Sequence, residues 1–214
     1  MPVTTPMEWH RETLGKKVCE ALKKNKFSSE YLPTAAETRS RVLELINPGS
    51  SVGFGGSMTI SALDLTGELE KRGCTILDHG KAPTLEAKTA IRQKQLTCDC
   101  FLCSSNAVTL DGQLINIDGT GNRVAAMIYG PKQVILVVGY NKITSDLNSA
   151  LERIELLAAP VNNKRLNLPN PCTKNGTCMD CSSDSRICNV TTILHKKPTQ
   201  SNLTILVVGE DMGY

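Results

Sequence analysis

The sequence predicts an α/β fold: an open, mainly parallel sheet with helices on both faces. Three observations predict it. From Ser51 onward, short apolar runs alternate with longer segments of helical period, which is how βα units read. Gln133 to Gly139 (QVILVVG) is apolar on both alternating faces, as a strand covered by helices on each side must be. Glycine pairs such as Gly55-Gly56 stand where a strand should hand over to a helix. With 214 residues the chain can build one large domain, read here as residues 1–214. Residues 1–47 form a helical N-terminal segment of it, and 167–189 a cysteine-rich loop inserted before the last strands.

Thr5-Pro6-Met7-Glu8 opens the first helix, with Thr5 as N-cap, Pro6 at the first helical position and Glu8 closing a capping box. That helix runs to about Lys24. Thr34 to Glu37 repeats the device for a second helix ending near Ile46, before Asn47-Pro48-Gly49. Ser51 to Phe54 reads as a strand, Thr59 to Arg72 as a helix, Thr75 to Leu77 as a strand and Thr84 to Lys94 as a helix. Cys98 to Cys103 is a strand. Val108 to Leu110 and Gln113 to Ile117 form a hairpin around the Asp111-Gly112 turn. Val124 to Ile128 is a short apolar segment, and Gln133 to Gly139 the central strand. Thr144 to Ala158 carries Leu147, Leu151, Ile154 and Leu157 on one helical face. Val190 to Leu194 and Leu203 to Val208 supply two late strands.

Composition excludes several function classes. The net charge of +3 is spread along the chain, and only 4% of residues are aromatic, so nothing suggests a nucleic-acid surface. No apolar run approaches the ~20 residues of a membrane span. The N-terminal stretch has no apolar core of a secretory signal, so the expected location is cytoplasmic. Nine cysteines in such a chain point to metal or redox chemistry rather than to a disulfide framework.

Four of them stand close together: Cys172, Cys178, Cys181 and Cys188, spaced C-x5-C-x2-C-x6-C in a polar, turn-rich loop. Soft thiolates in fours suit a structural zinc or an iron–sulfur cluster. Structural zinc sites usually pair two short CxxC turns, and only Cys178–Cys181 has that spacing. The long spacers favour wrapping a [4Fe–4S] cluster, with zinc the alternative. Cys19, Cys74, Cys98, Cys100 and Cys103 read as core packing. Strand alternation places Cys98 and Cys100 on one face and Cys103 on the other.

The turn at Gly55, Gly56, Ser57 and Thr59 offers backbone amides and hydroxyls to an anion, although it is neither a Walker loop nor a GxGxxG fingerprint. Asn106, Asp118, Asn122 and Arg123 stand at strand ends and turns, where open sheets bind ligands. Arg123 is the natural carboxylate or phosphate clamp. Lys142 follows the central strand; on chemistry alone a solvated, helix-flanking lysine is favoured there. His10, His79 and His195 are isolated and read as surface or satisfied histidines.

The segment SSNAVTLDGQLINIDGTGNRVAAMIYGPKQVILVVGYNKI, with DLNSALERI, AAPVNNKRL and the GFGGSMT loop, resembles the LUD-domain family, named for the lactate-utilisation proteins LutB and LutC. The resemblance extends from about residue 7 to the terminal GEDMGY. It implies a fold like that of sugar-phosphate isomerases and CoA-transferases, whose glycine-rich loop receives phosphate or CoA. It adds weight to Gly55, Gly56, Ser57, Thr59, Asn106, Asp118, Asn122, Arg123 and Lys142 as a pocket, and assigns no catalytic residue. It also implies a complex of iron–sulfur subunits that oxidises L-lactate. The ferredoxin-like motifs of the LutB-type partner are absent from this sequence.

Three functions follow as expectations. The favoured one is an accessory or electron-transfer subunit in oxidation of L-lactate or a similar 2-hydroxy acid, working with iron–sulfur partner subunits. It would bind a small carboxylate beside a cluster. The second is a stand-alone enzyme on a sugar phosphate or CoA-type ligand, with a structural zinc and Asp118 or Lys142 as acid–base group. The third is a binding or regulatory protein without turnover.

Overall fold

A computed structural model describes residues 5–214. Helix α1 spans Pro6–Lys24. Thr5 Oγ1 accepts from the Glu8 amide while the Glu8 carboxylate accepts from the Thr5 amide, so two N–H groups that the helix cannot pair are satisfied. There follow β1 (Ser28–Leu32), α2 (Ala35–Leu45), β2 (Ser51–Phe54), α3 (Met58–Ser61), α4 (Thr66–Lys71), β3 (Thr75–Asp78), α5 (Leu85–Gln95) and β4 (Cys100–Cys103). Next come β5 (Ala107–Thr109), β6 (Leu114–Asp118), α6 (Asn122–Ile128), β7 (Gln133–Gly139), β8 (Ile143–Thr144) and α7 (Leu147–Arg153). The last elements are α8 (Ala159–Arg165), α9 (Cys172–Asn175), β9 (Val190–Leu194) and β10 (Leu203–Val208).

Six strands form the main sheet in the order β1-β10-β7-β4-β2-β3, every pair parallel. Strand β7 lies inside it and alternates as a doubly covered strand must. Val134, Leu136 and Val138 face the layer holding α1 and α6, and Ile135 and Val137 face the layer of α2, α3 and α4. From β2 the chain steps one way to β3 and the other way to β4, β7 and β10. The winding therefore reverses between β2 and β4. The loops leaving those two strands diverge there and open a crevice at the carboxyl end of the sheet.

A second, four-stranded sheet, β8-β5-β6-β9, carries the hairpin. Gly112 sits in its turn at φ +80°, and a Cβ there would lie 2.7 Å from the backbone of Ala21 in α1. Only glycine lets the turn seat on that helix. Asn25 fixes it by donating to the Asp111 and Gly112 carbonyls.

The structure corrects the sequence reading in four places and completes it in one, at Val124 to Ile128. Residues 1–47 are not purely helical, because β1 pairs with β10, Ser28 opposite Thr204. The segment SSEYL is polar for a strand, and only its distant partner defines it. The helix expected from Thr59 to Arg72 is two, broken at Asp64, whose φ is +45°. Val124 to Ile128 belongs to helix α6. The helix expected to end at Ala158 continues to Arg165 through a π-turn over Ile154–Ala158. Pro160 has no N–H and its ring would strike the Leu156 carbonyl, and the widened turn makes room for it. Cys98 precedes β4, so alternation does not govern it; it packs with Phe101 and Cys103, and Cys100 faces the other layer.

Candidate functional site

The crevice holds a cavity of about 450 Å³. Its wall includes every pocket residue that the sequence singled out: Gly55, Gly56, Ser57, Thr59, Asn106, Asp118, Asn122, Arg123 and Lys142. They come from five separate stretches of chain and meet because the loops after β2, β4 and β7 emerge at one end of the main sheet, where the end of β6 from the second sheet and the start of α6 join them.

Their roles differ from what residue type alone suggests. Gly56 has φ +71°, so the turn after β2 needs glycine there. Ser57 caps α3 through the Ile60 amide, but α3 is a single turn and adds little dipole. Thr59 is buried and its hydroxyl donates to the Met212 carbonyl. Asp118 accepts from the Gly121 amide with one oxygen and from Arg123 Nε with the other.

Arg123 spends all five of its N–H donors inside the protein. They go to the Asp118 carboxylate, the side-chain oxygens of Asn116 and Asn106, and the carbonyls of Ser104 and Ile117. Instead of reaching for a ligand, the guanidinium ties the loop after β4 to β6 and so builds the cavity floor.

Lys142 is not the solvated lysine favoured from sequence; it is 3% exposed. Its Nζ donates to Thr59 Oγ1 at 2.8 Å and Ser104 Oγ at 3.0 Å. It takes part in no ion pair among the described residues. Burial first, then the charges of Arg153 and Arg123, push its ammonium down to about 7.

Several wall residues escaped the sequence reading. His79 follows β3 and lies beside Gly56, its Nε2 3.6 Å from where a Cβ would stand. The Gln95 amide nitrogen, which donates to the Phe54 and Leu77 carbonyls, is 3.2 Å from His79 Nδ1. Burial, then Arg92, lowers the imidazolium below its ordinary value. Lys88 and Arg92 reach the wall from one face of α5, Arg165 comes from α8, and Tyr214 closes the rim. The i,i+4 spacing of Lys88 and Arg92 is the one signal for them in the sequence. The wall thus carries four cationic side chains besides Lys142 (Lys88, Arg92, Arg123 and Arg165) and one acidic side chain, Asp118, already paired.

The four loop cysteines converge as well. Cys172, Cys178, Cys181 and Cys188 line a second, small cavity against α8, with Arg186 and Asn170. Asn170 holds the loop by bonding Asn163, Ser185 and the Ser185 carbonyl. The Asp180 amide points at Cys178 Sγ at 3.4 Å, and hydrogen bonds from Ser183 pull the Cys181 thiol below its ordinary value. Burial raises Cys172 and Cys188. No three metal-ligating side chains among the described residues close to the spacing of a single ion. Ile187 lines both cavities, so the two sites are neighbours.

The model of the LUD domain matches residues 15–208 of the sequence. The chain belongs to the LUD-domain family. A solved LUD-type structure, a DUF162 family protein from Deinococcus radiodurans, is similar with a TM-score of 0.54 at 15% identity, over 92% of this chain and 98% of that one. At that identity the likeness concerns the fold. No curated protein matches the sequence. Among the described residues, no helix of this LUD domain is long and apolar enough to cross a membrane.

Proposed function

We propose that this protein serves oxidation of lactate or a similar 2-hydroxy acid, as an accessory and electron-transfer subunit alongside iron–sulfur partners. The cationic cleft binds the anionic ligand, and Cys172, Cys178, Cys181 and Cys188 hold a [4Fe–4S] cluster beside it. One observation carries this reading: four thiols drawn from a loop with little regular structure line a single cavity that adjoins the ligand cleft through Ile187. Membership of the family supports the substrate class.

The donor set fits such a cluster. Four soft thiols share a cavity, the ligand type that an iron–sulfur cluster takes, and the long x5 and x6 spacers favour the cluster over one zinc. N–H groups aimed at Cys178 and Cys181 favour thiolates and would tune the potential of bound iron. When bound, the cluster supplies one-electron transfer. The chain's own part is to orient an anion in the cleft, by Lys88, Arg92 and Arg165, while Arg123 keeps the floor rigid.

Protein purified without oxygen is expected to contain about four irons with matching acid-labile sulfide and a visible band that bleaches on reduction. One zinc and a colourless sample would overturn the electron-transfer part. A second reading would then lead: a stand-alone enzyme on a phosphorylated ligand with a structural zinc. The size of the cleft favours it, because about 450 Å³ with several cations suits a ligand larger than a three-carbon acid.

A further inference from the structure

The buried lysine of the cleft is held in a way that charge pairing does not explain. A neutral amine has two N–H donors and one lone pair; an ammonium has three donors. Lys142 Nζ has two acceptors among the described residues, Thr59 Oγ1 and Ser104 Oγ. Both hydroxyls give their own protons elsewhere, Thr59 to the Met212 carbonyl and Ser104 to the Ser105 carbonyl. Each therefore faces the amine as an acceptor, and together they use the two N–H bonds of a neutral amine. In that neutral form the lone pair is unspent, on a side chain that lines the cavity.

We propose that Lys142 is a nucleophile that captures a carbonyl compound bearing a carboxylate or phosphate, as a Schiff base on its Nζ. The inference rests on reading the cleft as an anion site, since Lys88, Arg92 and Arg165 would hold the ligand's charged group while its carbonyl meets the amine. The nitrogen lone pair attacks the carbonyl carbon and the C=O π bond opens. The oxygen takes both amine protons and leaves as water, so the C–O bond is replaced by C=N. No oxidant or reductant is consumed. The surroundings agree: Arg123 and Arg153 lie near enough to disfavour an ammonium, and Lys142 is held at about 7, so much of it is free amine at neutral pH.

The test is reductive trapping on the intact protein, with pyruvate in one arm and dihydroxyacetone phosphate in the other, each with cyanoborohydride. Hydride delivered to the imine leaves a stable secondary amine, read by peptide mass spectrometry as one ligand less one oxygen. Labelling is expected at Lys142 at about ten-fold or more above the exposed lysines at pH 7, because its neutral fraction is larger by orders of magnitude. It should be lost in Lys142→Met. Its rate should level off above about pH 8, where an ordinary lysine keeps gaining. The arm that labels tells 2-oxo acids from phosphorylated carbonyls. Melting with each ligand, without reductant, separates the two claims. Ligand-induced stabilisation with no adduct, or with adducts spread evenly over surface lysines, overturns the Schiff base and leaves the anion site standing. Neither stabilisation nor adduct in both arms overturns both.

Discussion

The cleft and the cysteine loop lie side by side and are built in opposite ways. The floor of the cleft is fixed by strand ends and by spent hydrogen bonds. Arg123 alone joins the loop after β4 to β6 and the start of α6. The cysteine loop is one continuous stretch, with a single short helix and a few side-chain bonds around Asn170 and Arg186. A site assembled from distant segments inherits the rigidity of the core. A site made from one polar segment has no such core behind it, and under the proposed function it would take its order from what its thiols bind.

The most damaging way to break this contrast is Arg123→Met. It leaves the buried Asn116 and Asp118 and two carbonyls without their donor, and should cost about 3–5 kcal/mol. The urea midpoint should fall accordingly, and a drop under 1 kcal/mol would show that the floor does not depend on this tie.

Lys142→Met should act in the opposite sense. With the ammonium held low by burial, the unfolded chain binds more protons than the folded one from about pH 7 up to the ordinary lysine range. Stability is penalised fully below about pH 7, and the penalty fades as pH rises through that window. The variant should therefore gain on the order of 2–3 kcal/mol at pH 6 and progressively less towards pH 10. A gain that did not change with pH would mean the lysine is not buried in this way.

Cys178→Ser probes the other region. If the loop holds the proposed cluster, the variant should lose its iron and amide exchange should rise across 172–188, while β7 and β10 keep their protection. Global unfolding should shift by about 1 kcal/mol or less. A collapse of the whole domain would contradict the independence of the loop.

The smallest effect belongs to the rim. Arg92→Ala should weaken binding of inorganic phosphate by about two- to five-fold at low salt, a difference that fades as salt is added. An unchanged affinity at low salt would move the anion away from α5.

Much of this was legible beforehand. The capping box at Thr5, the QVILVVG strand and the Asp111-Gly112 turn stand where the sequence places them, and the strand-end residues from Gly55 to Arg123 line one cavity. Each depends on a local rule: a cap three residues from its partner, an alternation of two, a turn that only glycine fits. Strand-end chemistry was legible for the same reason, since the sheet's topology fixes where such residues must emerge.

Only the tertiary structure decided the rest. Ser28–Leu32 is a strand because β10, far along the chain, offers it a hydrogen-bonded edge. Arg123 is a structural tie because five acceptors from β4, β6 and their loops surround it, though its charge alone suggested a clamp. Lys142, read from chemistry alone as solvated, is buried because the loops after β2 and β4 close over the end of β7. His79 joins the site because β3 pairs beside β2. Local sequence determines which backbone shapes are cheap and which groups can react. What surrounds a charge, and so whether it binds, supports or attacks, depends on residues that only folding brings near.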